Sequence, residues 1–175
     1  MSFIVAYPLN KFSASLVFNP VIVSVLLLIT GFILIYSEFL AKKYVNEKPI
    51  TLKKSIIIAI AQGLAALPGF SRSGLTIATG MFLGLKRVVA ARYSFLLSIP
   101  IILGASMFYP ILELDFNEMS TYRWHAIIVG TIVSAVVGFL CIKYFMKFVS
   151  KFSLRIFGYY CLLFGLFTLI FFWGR

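Results

Sequence analysis

Charge is scarce in this chain. Of its 175 residues only 12% are Asp, Glu, Lys or Arg, against about 25% in a water-soluble domain, so much of the charge that covers a soluble surface is missing. Acids are scarcest, 5 Asp and Glu against 16 Lys and Arg. A cytosolic globular enzyme and a disordered chain are both excluded, because each needs more polar surface than this. Cysteine is scarce too. Cys141 and Cys161 sit in separate apolar runs with no CxxC spacing, which excludes a disulfide-stapled domain and fits small packing residues. No secretory leader is expected, since MSFIVAYPLNKF lacks a basic stretch before its apolar run and a small-residue cleavage site.

What is abundant is apolar: 62% of residues are hydrophobic and 17% aromatic. The composition reads as an all-α integral membrane protein in one membrane domain, residues 1–175. The net charge of +11 would suit nucleic acid, but the basic residues lie between apolar runs, where the positive-inside bias places them. No nucleic-acid partner is expected. A bilayer core takes about 20 residues of apolar helix. Residues 20–40, 91–109, 126–146 and 154–173 qualify as transmembrane helices. Asn19-Pro20 is a good start for the first, because proline suits the first helical turn. Pro100 predicts a kink in the second, and the last ends in aromatics suited to an interface.

Residues 55–85 behave differently. Ser55–Leu67 and Gly74–Leu85 are apolar runs of 13 and 12 residues, each about 20 Å as helix and too short to cross. Between them stands PGFSRS, Pro68 to Ser73. Pro68 disfavours helix before it, Gly69 allows positive φ, and the serines offer the backbone other hydrogen bonds. One long kinked crossing helix and a re-entrant hairpin both fit this pattern. Loop charge separates them. A hairpin gathers the basic residues of 42–54, 86–92 and 143–155 on one face, 12 against 3, with Arg72 left at membrane depth; a crossing helix gives 6 against 9. The positive-inside rule favours the hairpin, both termini outside and PGFSRS at its tip.

Arg72 carries the chemistry. A guanidinium stays charged at ordinary pH, and at membrane depth it faces a polar cavity or a partner. Ser71 and Ser73 flank it, Thr76 follows one turn on, and Gly74 is expected to open the second half-helix, whose free N–H groups point to the tip. Arginine fork, hydroxyls and helix N-terminus make an anion site that suits phosphate. The competing structural role is an arginine that snorkels to an interface or caps carbonyls.

The stretch AQGLAALPGFSRSGLTIATGMFLGLKRVVAARYSFLLSIPIILGAS resembles the second-half motif region of the undecaprenyl-diphosphate phosphatases of the bacitracin-resistance type. Their P-G-x-S-R-S-x-x-T motif is filled by Pro68, Gly69, Ser71, Arg72, Ser73 and Thr76. The resemblance implies hydrolysis of undecaprenyl diphosphate to the monophosphate in a bacterial inner membrane. It implies a multi-pass protein with its site open to the outer, periplasmic side, recycling the cell-wall lipid carrier. It also implies half of an inverted-repeat architecture. In that family Arg72, Ser71 and Ser73 would form the catalytic group, with Gly69, Gly74, Thr76 and Gln62 binding substrate. The partner would be a polyprenyl diphosphate lipid.

One family feature is missing from these residues. The acid-rich first motif with two glutamates, followed by a V-S-S-T-G-H stretch, does not occur; Ser13 and Ser15 have no carboxylate nearby. Glu38, at a helix end before Lys42 and Lys43, is expected to be an interfacial charge, leaving no acid at membrane depth. A divalent cation, magnesium or calcium, is therefore expected with its ligands outside this chain, and no metal-binding residue is assigned within it. Glu113, Asp115 and Glu118 read as a solvated loop, and His125 as an interfacial residue. The chain would be a truncated form with impaired activity, paired with a separate first-half chain or a second copy. Two other functions fit the residues: half of a lipid-phosphate transporter or flippase, whose broken helices face a mid-membrane site, and a non-catalytic remnant that binds phosphate lipids. Gly130, Ser134 and Gly138 form a small-residue stripe, expected to serve packing within the chain.

Overall fold

The structure is a computed structural model that describes residues 19–41, 49–113 and 124–173. Lys11, Ser13, Ser15, Lys42, Lys43, Lys48, Asp115, Glu118, Arg123 and Arg175 lie outside the described residues. Regular structure among the described residues is all helical: α1 Pro20–Ala41, α2 Leu52–Leu64, α3 Arg72–Phe82, α4 Arg87–Glu113, α5 Trp124–Lys151 and α6 Arg155–Phe172. Four of these, α1, α4, α5 and α6, are long and apolar enough to cross a membrane. At 13 and 11 residues, α2 and α3 reach about 20 and 16 Å and cannot cross alone.

Local sequence explains most boundaries. Asn19 Oδ1 accepts from the Val21 and Ile22 N–H groups at 3.2 and 3.4 Å, capping α1 ahead of Pro20. Thr51 accepts from Lys54 N at the start of α2. Pro100 does not break its helix; α4 runs unbroken from Arg87 to Glu113.

The most extensive helix contact joins α1 to α6. The two are antiparallel: Ser24 near the start of α1 lies 2.8 Å, hydroxyl to hydroxyl, from Thr168 near the end of α6. Small residues let the backbones approach. A Cβ on Gly158 would stand 2.6 Å from Ile35 Cγ1, and one on Gly31 2.8 Å from the Gly158 carbonyl oxygen.

The short helices form a hairpin against this pair. At the turn, a Cβ on Gly69 would stand 2.6 Å from the Val23 carbonyl oxygen of α1, and Ser71 N donates to Thr30 Oγ1 at 3.4 Å. Descending α3, the Phe82 ring lies 6.0 Å from Tyr36. Ile58 of α2 shares a buried cluster with Met81, Leu85, Ala91, Val149 and Leu154. Both arms of the hairpin therefore return to the end of the bundle where α6 begins. Thr30 is the eleventh of 22 residues in α1, so the tip sits about 15 Å from either end of that helix.

Two expectations are corrected. Glu38 is fully buried, not an interfacial charge. It pairs with Arg87, and its Oε1 accepts from Leu154 N at 2.9 Å. Burial is tolerated because cation and helix-start N–H together satisfy the carboxylate. Gly130 and Gly138 do not pack on other described residues, since a Cβ on either would meet none of them within 4 Å. The reason is position: α5 meets chiefly α4, and its apolar span is exposed almost throughout.

Candidate functional site

The turn between α2 and α3 builds the site. Three tight backbone bonds wind the chain past α2: Ala66 N to Gly63 O, Leu67 N to Leu64 O, and Phe70 N to Leu67 O, at 3.2, 3.2 and 3.3 Å. Gly69 then takes φ of 101°, where a side chain would be strained. Next comes the cap. Ser71 holds an extended backbone and its Oγ accepts from Gly74 N at 3.2 Å. Helix α3 thus begins at Arg72, two residues earlier than Gly74 predicts, because Ser71 satisfies the third N–H of the helix. The N–H groups of Arg72 and Ser73 head the helix, and that of Gly74 is already engaged.

This geometry places Arg72 in a cleft of about 520 Å³ bounded by α2, the turn, α3 and α4. Its guanidinium meets no hydrogen-bond or ion-pair partner among the described residues. Gln62, Ser73 and Thr76 line the same cleft. Thr76 is buried; its hydroxyl donates to the Arg72 and Ser73 carbonyl oxygens at 2.9 and 3.1 Å and lies 2.5 Å from Ser94 Oγ. It ties the first turn of α3 to α4, which fixes where Arg72 can reach. Gln62 is 3% exposed. Its Nε2 donates to the Leu97 carbonyl oxygen at 3.4 Å, while Oε1 is buried without a partner among the described residues.

Of the sequence-derived candidates, then, Gln62, Arg72, Ser73 and Thr76 converge on one cleft. Ser71 and Gly74 face a second, mostly apolar cavity of about 310 Å³ on the other flank of α3, which Ser73 also lines. Gly69 packs the tip onto α1. Two residues escape sequence reasoning: Ser94 and Ser98, one turn apart on α4, form the far wall. The signal that points to them is a pair of serines spaced four apart, on one face of an otherwise apolar helix.

The cleft presents neutral oxygens and one cation. Among the described residues no three His, Cys, Asp or Glu side chains cluster, and the Glu38 carboxylate is occupied by Arg87 and Leu154 N. A hard divalent cation takes several oxygen ligands, carboxylates among them, so the described residues do not by themselves fit one. What the arrangement does fit is an anion: a guanidinium without a partner among the described residues, beside the N-terminus of a helix, in a cleft whose walls include Phe70, Phe95 and Ile102.

Comparison with known proteins gives the family. The family model described as "Bacitracin resistance protein BacA" matches residues 1–167. The chain is 43% identical over 150 residues to a protein of Methanosphaera stadtmanae named undecaprenyl-diphosphatase, covering 85% of this chain and 52% of that one. A protein of the same name from Halothermothrix orenii is 38% identical over 161 residues, 92% of this chain and 62% of its own length. Another, from Methanothermobacter thermautotrophicus, is 40% identical over 163 residues, 91% of this chain and 88% of that one. The chain thus spans about half the length of several curated relatives and most of a shorter one.

Proposed function

The chain belongs to the bacitracin resistance protein BacA family, and from that premise we propose that it binds the headgroup in the hydrolysis of undecaprenyl diphosphate to undecaprenyl phosphate and phosphate. The observation that carries the proposal is the Arg72 guanidinium in the cleft, without a partner among the described residues. Such a cation is costly in hydrocarbon and is offset by an anionic ligand.

The residues divide the work. Arg72 takes two oxygens of the diphosphate through its fork, and the head of α3 adds N–H groups and its positive dipole end. Ser73 donates its hydroxyl to the same group, Ser71 and Gly74 fix the helix start, Gly69 seats the tip on α1, and Thr76 braces the turn. As the bond to the departing phosphoryl group loosens, charge spreads over its oxygens, and donors already in place stabilise it. Carboxylates outside the described residues would hold a magnesium or calcium ion, and the acid-rich first motif would come from another segment, a separate chain or a second copy. The ion would supply further charge neutralisation.

Topology follows from the same residues. The bundle end that carries Lys53, Lys54, Lys86, Arg87, Lys147, Lys151 and Arg155 faces the cytoplasm of a bacterial inner membrane by the positive-inside rule. The cleft runs along α4 from Ser94 to Ile102, away from that end. It therefore opens to the periplasmic side, and the isoprenoid tail lies among apolar helix faces. Activity of this kind recycles the carrier lipid and gives bacitracin resistance.

The test is binding of a short prenyl diphosphate by the chain in nanodiscs, with phosphate release followed in the same samples. Saturable binding lost in Arg72→Ala supports the proposal; equal binding in both overturns it. Little release is expected from the chain alone, and an intact diphosphate that changes leaflet would instead favour a transporter half.

A further inference from the structure

The cap and first turn of α3 are held from two other helices, and neither holding residue belongs to the motif. On the α1 side, Ser71 N donates to Thr30 Oγ1 at 3.4 Å. The buried Thr30 hydroxyl donates in turn to the Leu26 carbonyl oxygen at 3.0 Å. A helix fixed only at its cap can still pivot about that point. One turn on, Thr76 Oγ1 lies 2.5 Å from Ser94 Oγ of α4, and both residues are buried. This second contact removes the pivot.

The contact has a direction, because two hydroxyls hold two protons. Thr76 can give its own to the Arg72 or Ser73 carbonyl oxygen, at 2.9 and 3.1 Å. Ser94 has no acceptor among the described residues other than Thr76. If Thr76 donated to Ser94, the buried Ser94 proton would go unmatched, which is unfavourable. Ser94 therefore donates to Thr76 and Thr76 to the carbonyls, a chain of aligned dipoles that strengthen one another. The Arg72 carbonyl shares its planar peptide group with the Ser73 N–H, one of the N–H groups at the head of α3. We infer that Ser94 is a positioning residue of the phosphate site. Acting through Thr76, its hydroxyl sets the angle at which Arg72 and the head of α3 meet the phosphate oxygens. Ser94 does so without bonding the ligand, since its one proton is committed. This role rests on the phosphate binding proposed above and places part of its control on α4, outside the motif.

A double-mutant cycle tests the role. The full chain in nanodiscs is titrated with a short prenyl diphosphate, and the affinity of the folded molecules is read. Wild type is compared with Ser94→Ala, Ser94→Thr, Thr76→Val and the Ser94→Ala, Thr76→Val double variant. Ser94→Ala is expected to weaken binding about fivefold to tenfold, the worth of one net hydrogen bond. Ser94→Thr keeps the hydroxyl and is expected to restore it. In the Thr76→Val background, Ser94→Ala is expected to cost nothing more, because the link it cuts is already gone. Ser94→Cys keeps the volume with only a weak donor, so it reads the same loss if the alanine variant does not fold. A serine that only supports the fold would lower the melting temperature and leave the affinity unchanged. That result, an equal loss in Ser94→Thr, or losses that add in the double variant overturns the positioning role and leaves the phosphate site standing. Absence of prenyl diphosphate binding by the wild-type chain overturns the site and the role together.

Discussion

Glu38 and Arg87, 49 residues apart in the chain, meet as an ion pair: Arg87 Nε lies 2.6 Å from Glu38 Oε1, and a terminal nitrogen donates to Oε2 at 2.7 Å. Arg87 also donates to the Phe152 carbonyl oxygen at 2.6 Å. One carboxylate thus joins the end of α1, the start of α4, the turn after α5 and the start of α6. The short link from Phe82, where the 11-residue α3 ends, leads straight into Arg87 of this junction.

Removing Glu38 should be costly. Glu38→Ala leaves Arg87 without its counter-charge and Leu154 N without its acceptor, and breaking a buried pair costs about 3–5 kcal/mol. Arg87→Ala should fall at the low end of that range, because Arg87 keeps 26% side-chain exposure. Thermal unfolding in detergent measures both. A loss below about 1 kcal/mol for Glu38→Ala would show that the carboxylate is solvated instead.

At the hairpin tip, Gly69→Ala combines positive φ with a Cβ 2.6 Å from the Val23 carbonyl oxygen. Strain of this kind costs about 1–3 kcal/mol. The tip should lift from α1, lowering the melting temperature and weakening prenyl diphosphate binding together. Unchanged binding with normal stability would separate Gly69 from the site.

Arg72→Lys keeps the charge and loses the fork. Affinity for a short prenyl diphosphate should drop about tenfold or more, with stability unchanged, since charge-assisted hydrogen bonds are worth about 1.5–3 kcal/mol. Wild-type affinity in this variant would mean that a point charge suffices.

Local features of the fold are legible from sequence, and distant ones are not. Asn19-Pro20 marks its helix start, and PGFSRS divides two helices too short to cross, because caps, prolines and glycines act on the backbone beside them. The head of α3 is misplaced by two residues because Ser71 and Ser73 are both good caps; only packing of Ser71 N on Thr30 shows which one acts. Glu38 looks interfacial because its partner is 49 residues away in sequence. Ser94 looks like any serine in an apolar helix until Thr76 is found beside it. Within the site, Arg72, Ser73, Thr76 and Gln62 are named by the motif and its flank, whereas the wall that Ser94 and Ser98 form on α4 comes from tertiary structure alone.

The placement of Arg72 depends on a chain that enters the slab and leaves by the same side. The most direct measurement is labelling of single cysteines at Lys53 and Lys86, both exposed, with a membrane-impermeant reagent in sealed inner-membrane vesicles of known orientation. Modification of both from the cytoplasmic face and of neither from the periplasmic face is the expected result. Labelling of the two from opposite faces would contradict the hairpin and remove Arg72 from the tip of a re-entrant turn.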